Sequence, residues 1–170
     1  MSNYTSDICT GGTAASDAYA ASYLPAGAFN DVATYSSGSA WEVVTSYPHW
    51  ISYDLGSGVS KCVAQYTIQP YSVYFPTAWK FQGSNNNTDW TDLDTQTGQS
   101  FSSSEKKTYN SFLNSTYYRY YRWYFTGGKA DLVILELEAM ELMYPDPACY
   151  LHARRDRLNM KPVSTQNSLE

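Results

Sequence analysis

The sequence predicts an all-β domain, and three observations carry that expectation. Aromatic residues are abundant, with seventeen tyrosines and five tryptophans among 170 residues, beside few leucines, isoleucines and lysines. Aromatic and β-branched side chains suit a pleated, half-buried surface. Ser, Thr, Asn and Gly, the residues of turns, are plentiful. Apolar residues also recur at every second position in several short segments bounded by turn formers. At this length the chain is expected to be one domain with a sizeable core.

Residues 1–25 are small and polar and read as an entry segment with one or two short strands. WISYDLGSG (50–58) reads as a strand running into a glycine turn. In VAQYTIQP (63–70), Ala64, Tyr66 and Ile68 alternate with Gln65, Thr67 and Gln69, and Pro70 ends the strand. WKFQGS (79–84) alternates the same way through Trp79 and Phe81. Asn85, Asn86 and Asn87 tolerate positive φ and mark a turn, after which TDWTDL resumes the strand pattern. YRYYRWYFT (118–126) puts Tyr121, Trp123 and Phe125 on one face and Arg122 and Tyr124 on the other. Such a series of short strands suggests a sandwich or jelly roll.

DLVILELEAMELM (131–143) is ambiguous. Leu132, Leu135, Ala139 and Leu142 stand at helical spacing among good helix formers, while Leu135 and Leu137 alternate with Glu136 and Glu138 as in a strand. Local preference leans to helix. After Pro145 the aromatic alternation stops and four of the eleven basic residues appear, so 1–144 reads as the domain and 145–170 as a tail or short helix.

Composition also excludes function classes. A net charge of −5 with only eleven basic residues makes a poor partner for a phosphate backbone, so no nucleic acid is expected. No apolar run approaches membrane-spanning length, and MSNYTSDICTGG lacks a basic-then-apolar signal pattern. Cys9, Cys62 and Cys149 are an odd count, and two histidines argue against zinc. A bridge between Cys9 and Cys149, or three free thiols with Cys62 in the core, both fit the sequence. Acid–base work on a glycoside needs two converging carboxylates, whereas Asp89, Asp92 and Asp94 lie along one hairpin. Neither histidine sits in a triad context, so catalysis is not expected.

The segments AGAFND (26–31), Trp41, WISYDLG (50–56), YTIQP (66–70), PTAWKFQGSNNNTDWTDLDT (76–95), YYRYYRWYFT (117–126) and ILELEAMEL (134–142) come in a familiar order. Over roughly residues 13–144 the chain resembles a discoidin, or coagulation factor 5/8 type C, domain, a relative of the galactose-binding-like carbohydrate-binding modules. The resemblance implies an eight-stranded antiparallel jelly-roll sandwich with ligand loops at one end. It makes ILELEAMEL a closing strand, against the local helix preference, and favours the Cys9–Cys149 bridge. The stretch SNNNTDWT resembles the family's S-N-D-G-x-x-W-T hairpin with Asn87 at the glycine, so Trp90 is expected to pack. Asn3, Asn86 and Asn114 open formal glycosylation sequons, a weak signal in so polar a chain.

The resemblance also suggests sites. Many relatives hold one structural calcium ion near an A-F-D-G-N loop, closed by an acid of the last strand. Here the loop reads AFNDVATY, which makes the Phe29 carbonyl, Asn30, Asp31, Thr34 and Glu136 candidate ligands. Carbonyl, amide, hydroxyl and carboxylate oxygens suit calcium; the alternative is a loop tied by its own Asx hydrogen bonds. A sugar site needs an aromatic face for C–H groups and polar groups for hydroxyls. The 71–75 loop offers Tyr71, Tyr74 and Phe75, with Tyr35, Glu42 and Lys129 of the GGKAD turn expected at the same end. Galactose-binding relatives carry an Arg and an Asn around the 70–75 loop and often an aromatic near 127–131. Neither stands here, so galactose specificity is not carried over. Trp50, Trp79 and Trp123 are expected in the core, His49 in a loop, and Arg119 and Arg122 against acids or tyrosines.

Two functions follow as expectations. The first is a non-catalytic module recognising a glycan or glycoconjugate, outside the cell or at a cell or virion surface. The second is an adhesion or assembly domain, of the kind found in phage tails, that contacts protein or forms a homo-oligomer through its tyrosine-rich surface.

Overall fold

A computed structural model describes residues 3–129 and 131–143. Nine strands form among them: β1 (Thr13–Ser16), β2 (Trp41–Val43), β3 (His49–Asp54), β4 (Val63–Pro70), β5 (Pro76–Ser84), β6 (Thr91–Gln96), β7 (Lys107–Tyr109), β8 (Tyr120–Gly128) and β9 (Leu132–Glu141). They make two antiparallel sheets, in the orders β1-β3-β8-β5-β6 and β2-β9-β4-β7. The expected antiparallel jelly-roll sandwich is present, with nine strands among the described residues where eight were expected; β2 and β7 are edge pieces of only three residues each. The expected tail or short helix at 145–170 and the Cys9–Cys149 bridge lie outside the described residues.

The core is the slab between the sheets. Tyr121, Trp123 and Phe125 of β8 point into it, as alternation requires, and meet Trp79 and Phe81 of β5 and Tyr66 and Ile68 of β4. Tyr66 is fully buried with its hydroxyl satisfied: it accepts from Trp79 Nε1 at 2.9 Å and donates to Asp94 at 2.7 Å. The register of β3 overturns one expectation. His49, Ile51 and Tyr53 are buried on the core-facing side, which turns Trp50 outward opposite Tyr124. His49 is likewise no loop residue: it opens β3, 4% exposed, with Nδ1 2.9 Å from Asp17. Arg119 grips Asp54 through two 2.7 Å hydrogen bonds, and Arg122 lies 4.1 Å over the Trp90 ring, so both arginines and Trp90 pack as expected.

ILELEAMEL is extended, within β9 and its end. Opposite β4, Gln69 pairs with Glu136 but Pro70 pairs with Ile134, leaving Leu135 as an extra residue. This bulge changes the strand's parity: Leu132 and Ile134 join the core before it, Leu137 and Ala139 after it. An in-out alternation with one phase slip mimics a helical period, which explains the segment's double signature. The N-terminal segment then ties β9 down. Thr5 and Ile8 donate to the carbonyls of Glu141 and Ala139, and Met143 donates to Asn3.

The sequon asparagine Asn114 is 4% exposed and spends its side chain on Val63 O and Thr116 N, so it is a structural plug. Cys62, expected in the core, is half-buried.

Candidate functional site

Val133 and Leu135 of β9 face away from the core and build a second apolar cluster with Ala40. Tyr23 and Tyr71 pack on it. Tyr23 comes from a segment that runs beside β2, where Ala20 N donates to Glu42 O and Glu42 N to Tyr23 O. Tyr71 follows Pro70 at the end of β4, in a turn closed by Tyr74 N donating to Tyr71 O. Between these two rings stands Tyr35.

The result is a ladder of near-parallel rings. Tyr23 and Tyr35 lie 5.1 Å apart at 10°, Tyr35 and Tyr71 4.4 Å at 14°, and Tyr71 and Tyr74 6.5 Å at 14°. Tyr35 donates from its hydroxyl to Glu42 Oε2 at 3.0 Å. The Tyr23 hydroxyl first, then burial, then Glu42 raise the Tyr35 phenol well above its ordinary range, so the rung stays protonated and donates. Tyr35 and Tyr74 are 38% and 37% exposed, a large apolar surface left in water.

The six expected ligand residues therefore divide. Tyr35, Glu42, Tyr71 and Tyr74 come together. Phe75 turns inward against the core and meets Phe101 at 5.8 Å. Lys129 lies at the same end, its backbone N 3.5 Å from Phe75 O, and lines a shallow cleft of about 310 Å³ with Val44, Thr45, Ser46, Tyr47, Gly128 and Asp131. The Tyr47 hydroxyl is buried without a partner, and burial, then Asp131, push its phenol up to about 12.

The candidate metal residues include a different feature, a buried acid. Glu136 is 3% exposed, and neither carboxylate oxygen has a hydrogen-bond partner. Burial first, then Asp31, Glu138 and Asp7, push its carboxyl up to about 8. Phe29 ends a single 3-10 turn (Pro25–Phe29), held where a Cβ on Gly27 would fall 2.6 Å from the Ala40 carbonyl oxygen. Asn30 Oδ1 accepts from Val32 N and its Nδ2 donates to Gly38 O, so the Asx-tied loop is real. Asp31 has φ 58, the left-handed conformation that suits the glycine of the resembled motif. Thr34 and Ser36 gather on Ser39, whose hydroxyl lies within hydrogen-bonding range of both their carbonyls and both their hydroxyls.

These groups fit a hard, oxygen-liganded cation and not a soft one. Among the described residues no three His, Cys, Asp or Glu converge as a metal cluster. The donors are carbonyl, amide and hydroxyl oxygens with the carboxylates of Asp31 and the orphaned Glu136, donor types that calcium accepts. Two residues were missed by sequence reasoning. Tyr23 carried no strand pattern. Ser39 is 7% exposed and stands two residues before Trp41, whose partner is Ile134, so the same register continued brings Ser39 opposite Glu136.

The acidic hairpin offers no opposed pair. Asp92 binds Lys80 and Gln82, Asp94 binds Tyr66 and Gln96, and Asp89 binds Asn86.

Comparison with known proteins bears on the whole arrangement. A model of the F5/8 type C domain matches residues 12–137. No curated protein sequence matches significantly. Among solved structures, chitosan-binding module 1 of a chitosanase/glucanase from Paenibacillus sp. IK-5 superposes with TM-score 0.68 at 20% identity, covering 80% of this chain and 98% of that one. The family 32 carbohydrate-binding module of C. perfringens NanJ, in complex with galactose, gives TM-score 0.67 at 17% identity over 81% and 99%. Chitosan-binding module 2 of the Paenibacillus enzyme, in complex with chitotriose, gives 0.63 at 20% over 78% and 98%. No helix among the described residues is long and apolar enough to cross a membrane.

Proposed function

The chain belongs to the F5/8 type C domain family, and from that premise we propose that it is a non-catalytic carbohydrate-binding module that takes its glycan on the tyrosine ladder. The observation that carries this reading is the aligned, partly exposed stack Tyr23–Tyr35–Tyr71–Tyr74 with Glu42 at its side. Aromatic rings take the C–H faces of a sugar, and phenol hydroxyls, Glu42 and Lys129 serve its hydroxyl groups. Solved neighbours of the same fold that hold galactose or chitotriose support it. The acids of the 84–96 hairpin are engaged in structural hydrogen bonds, which supports binding without hydrolysis. Such a module works outside the cell, at a cell or virion surface.

One calcium ion belongs to the same reading. Glu136, with the Phe29 carbonyl, Asn30, Asp31 and Thr34, would hold it, and the ion would supply a fixed positive charge beside the orphaned carboxylate. Tyr35 is carried by that loop, so the loop's order bears directly on the ladder.

A glycan array probed with the wild type, Tyr71→Ala and Tyr74→Ala tests the site. Each substitution is expected to weaken binding by roughly tenfold, about 1.4 kcal/mol. Unchanged binding in both variants would move the site elsewhere.

An assembly role has one observation of its own. On the outer face of the five-stranded sheet, Trp90, Arg122 and Tyr124 stack together and Trp50 lies opposite Tyr124. Trp, Tyr and Arg are the residues enriched at interface centres. Sedimentation of the full chain decides it: a dimer or larger species supports this role, and a monomer sinks it.

A further inference from the structure

We infer that the tyrosine ladder binds an extended glycan chain along its edge, not a single terminal sugar, and that Tyr23 forms the far end of that surface. The inference rests on the carbohydrate-binding reading above and deepens it.

Tyr35 is flanked on both sides, by Tyr23 at 5.1 Å and Tyr71 at 4.4 Å, so neither of its faces can receive a sugar. Tyr71 is flanked by Tyr35 and, more loosely, by Tyr74 at 6.5 Å. What remains is the outer face of each terminal ring and the continuous row of ring edges with their hydroxyls. A single sugar ring is about as broad as one rung, so it can engage one end of the row at a time.

The cleft of about 310 Å³ lined by Val44–Tyr47, Gly128, Lys129 and Asp131 includes none of the four tyrosines. Glu42 Oε2 accepts from the Tyr35 hydroxyl and so holds the middle rung in line, and the carboxylate keeps further acceptor sites for a sugar hydroxyl. Tyr23 and Tyr71 are seated on Val133, Leu135 and Ala40, so the row is set before any ligand arrives. A preorganised linear row of aromatic edges and phenol groups matches a linear ligand of repeating units.

Tyr23 separates this from a merely structural account. If it is the far end of the surface, its loss matters only to chains long enough to reach it. If it only props the stack, its loss weakens every ligand equally.

The test is titration calorimetry of the full chain against length series, monosaccharide to hexasaccharide, of glucosamine, N-acetylglucosamine and galactose oligomers. Wild type is expected to bind the longest member of its preferred series roughly tenfold or more above the monosaccharide. Tyr23→Ala is expected to remove most of that gain, so that its affinity for the longest member falls close to that for the shortest ligand that binds, and Tyr23→Phe to retain it. Near-ultraviolet circular dichroism of each variant reports whether the remaining rungs stay stacked. Equal affinity for monosaccharide and hexasaccharide overturns the extended-chain inference but leaves carbohydrate binding standing. A uniform loss at all lengths in Tyr23→Ala, with an altered tyrosine spectrum, removes Tyr23 from the surface. Failure to bind any series overturns both the inference and the reading beneath it.

Discussion

Two groups of aromatic rings in this molecule obey different rules. In the core, rings meet at every inclination: Phe81 lies at 10° to Tyr121, 55° to Trp123 and 62° to Phe112, and Trp79 stands at 85° to Tyr109. In the ladder every consecutive pair lies within 14°. Core rings turn to fill volume, because a void forfeits contacts on one side of its lining. The ladder is only partly covered, and filling space cannot explain its alignment. Order kept at a wet surface, where it brings less burial, is the observation on which the proposed binding role rests.

If that contrast is right, the core should carry stability and the ladder should carry binding. The largest effect belongs to Trp123→Ala, which empties a fully buried site between the sheets. Denaturant unfolding is expected to show a loss of about 3–5 kcal/mol. A loss below about 1 kcal/mol would mean that the core is far looser than its burial implies.

Next comes the one buried carboxyl left without a hydrogen-bond partner among the described residues. Glu136 has its carboxyl raised to about 8 from an ordinary 4.5. A carboxyl raised by folding gives its full stabilisation below the unfolded value and loses it as pH climbs through the folded one. Metal-free protein should therefore lose stability steadily from about pH 5 to about pH 9. Glu136→Gln should flatten that slope and gain about 1–3 kcal/mol at the alkaline end. Added calcium should stabilise the wild type there and leave the glutamine variant unmoved; the same thermal shift in both would remove Glu136 from any cation site.

The smallest of these effects sharpens the contrast inside the core itself. Tyr66→Phe keeps the ring and deletes the hydroxyl that joins Trp79 to Asp94. Calorimetric unfolding is expected to show about 1–2 kcal/mol of destabilisation, with ladder binding untouched.

Much of this was legible before the structure. Alternation located β4, β5 and β8 and their inward faces, because a period of two directly reports which side is buried. Family resemblance was needed for β9, where the bulge at Leu135 corrupts the period. Trp50 shows the limit of composition: a large aromatic suggests burial, yet the register of Ile51 and Tyr53 sends it outward. At the site, Tyr35, Glu42, Tyr71 and Tyr74 were named from sequence, and the fold brought them together. Phe75 shared their loop, but the next position along an extended chain faces the opposite way. Tyr23 and Ser39 were invisible because long-range register and stacking placed them, and no local pattern encodes either.

The bonds that fasten residues 3–8 to the end of β9 and to Met143 draw the two ends of the described fold together. Asn3 and Met143 are neighbours, whereas Val133, beneath the ladder, sits at the other extreme of a ten-residue strand. At roughly 3.3 Å per residue, about 30 Å separates the two poles. The two ends of the described fold therefore meet at one small spot, and the tyrosines lie at the opposite pole.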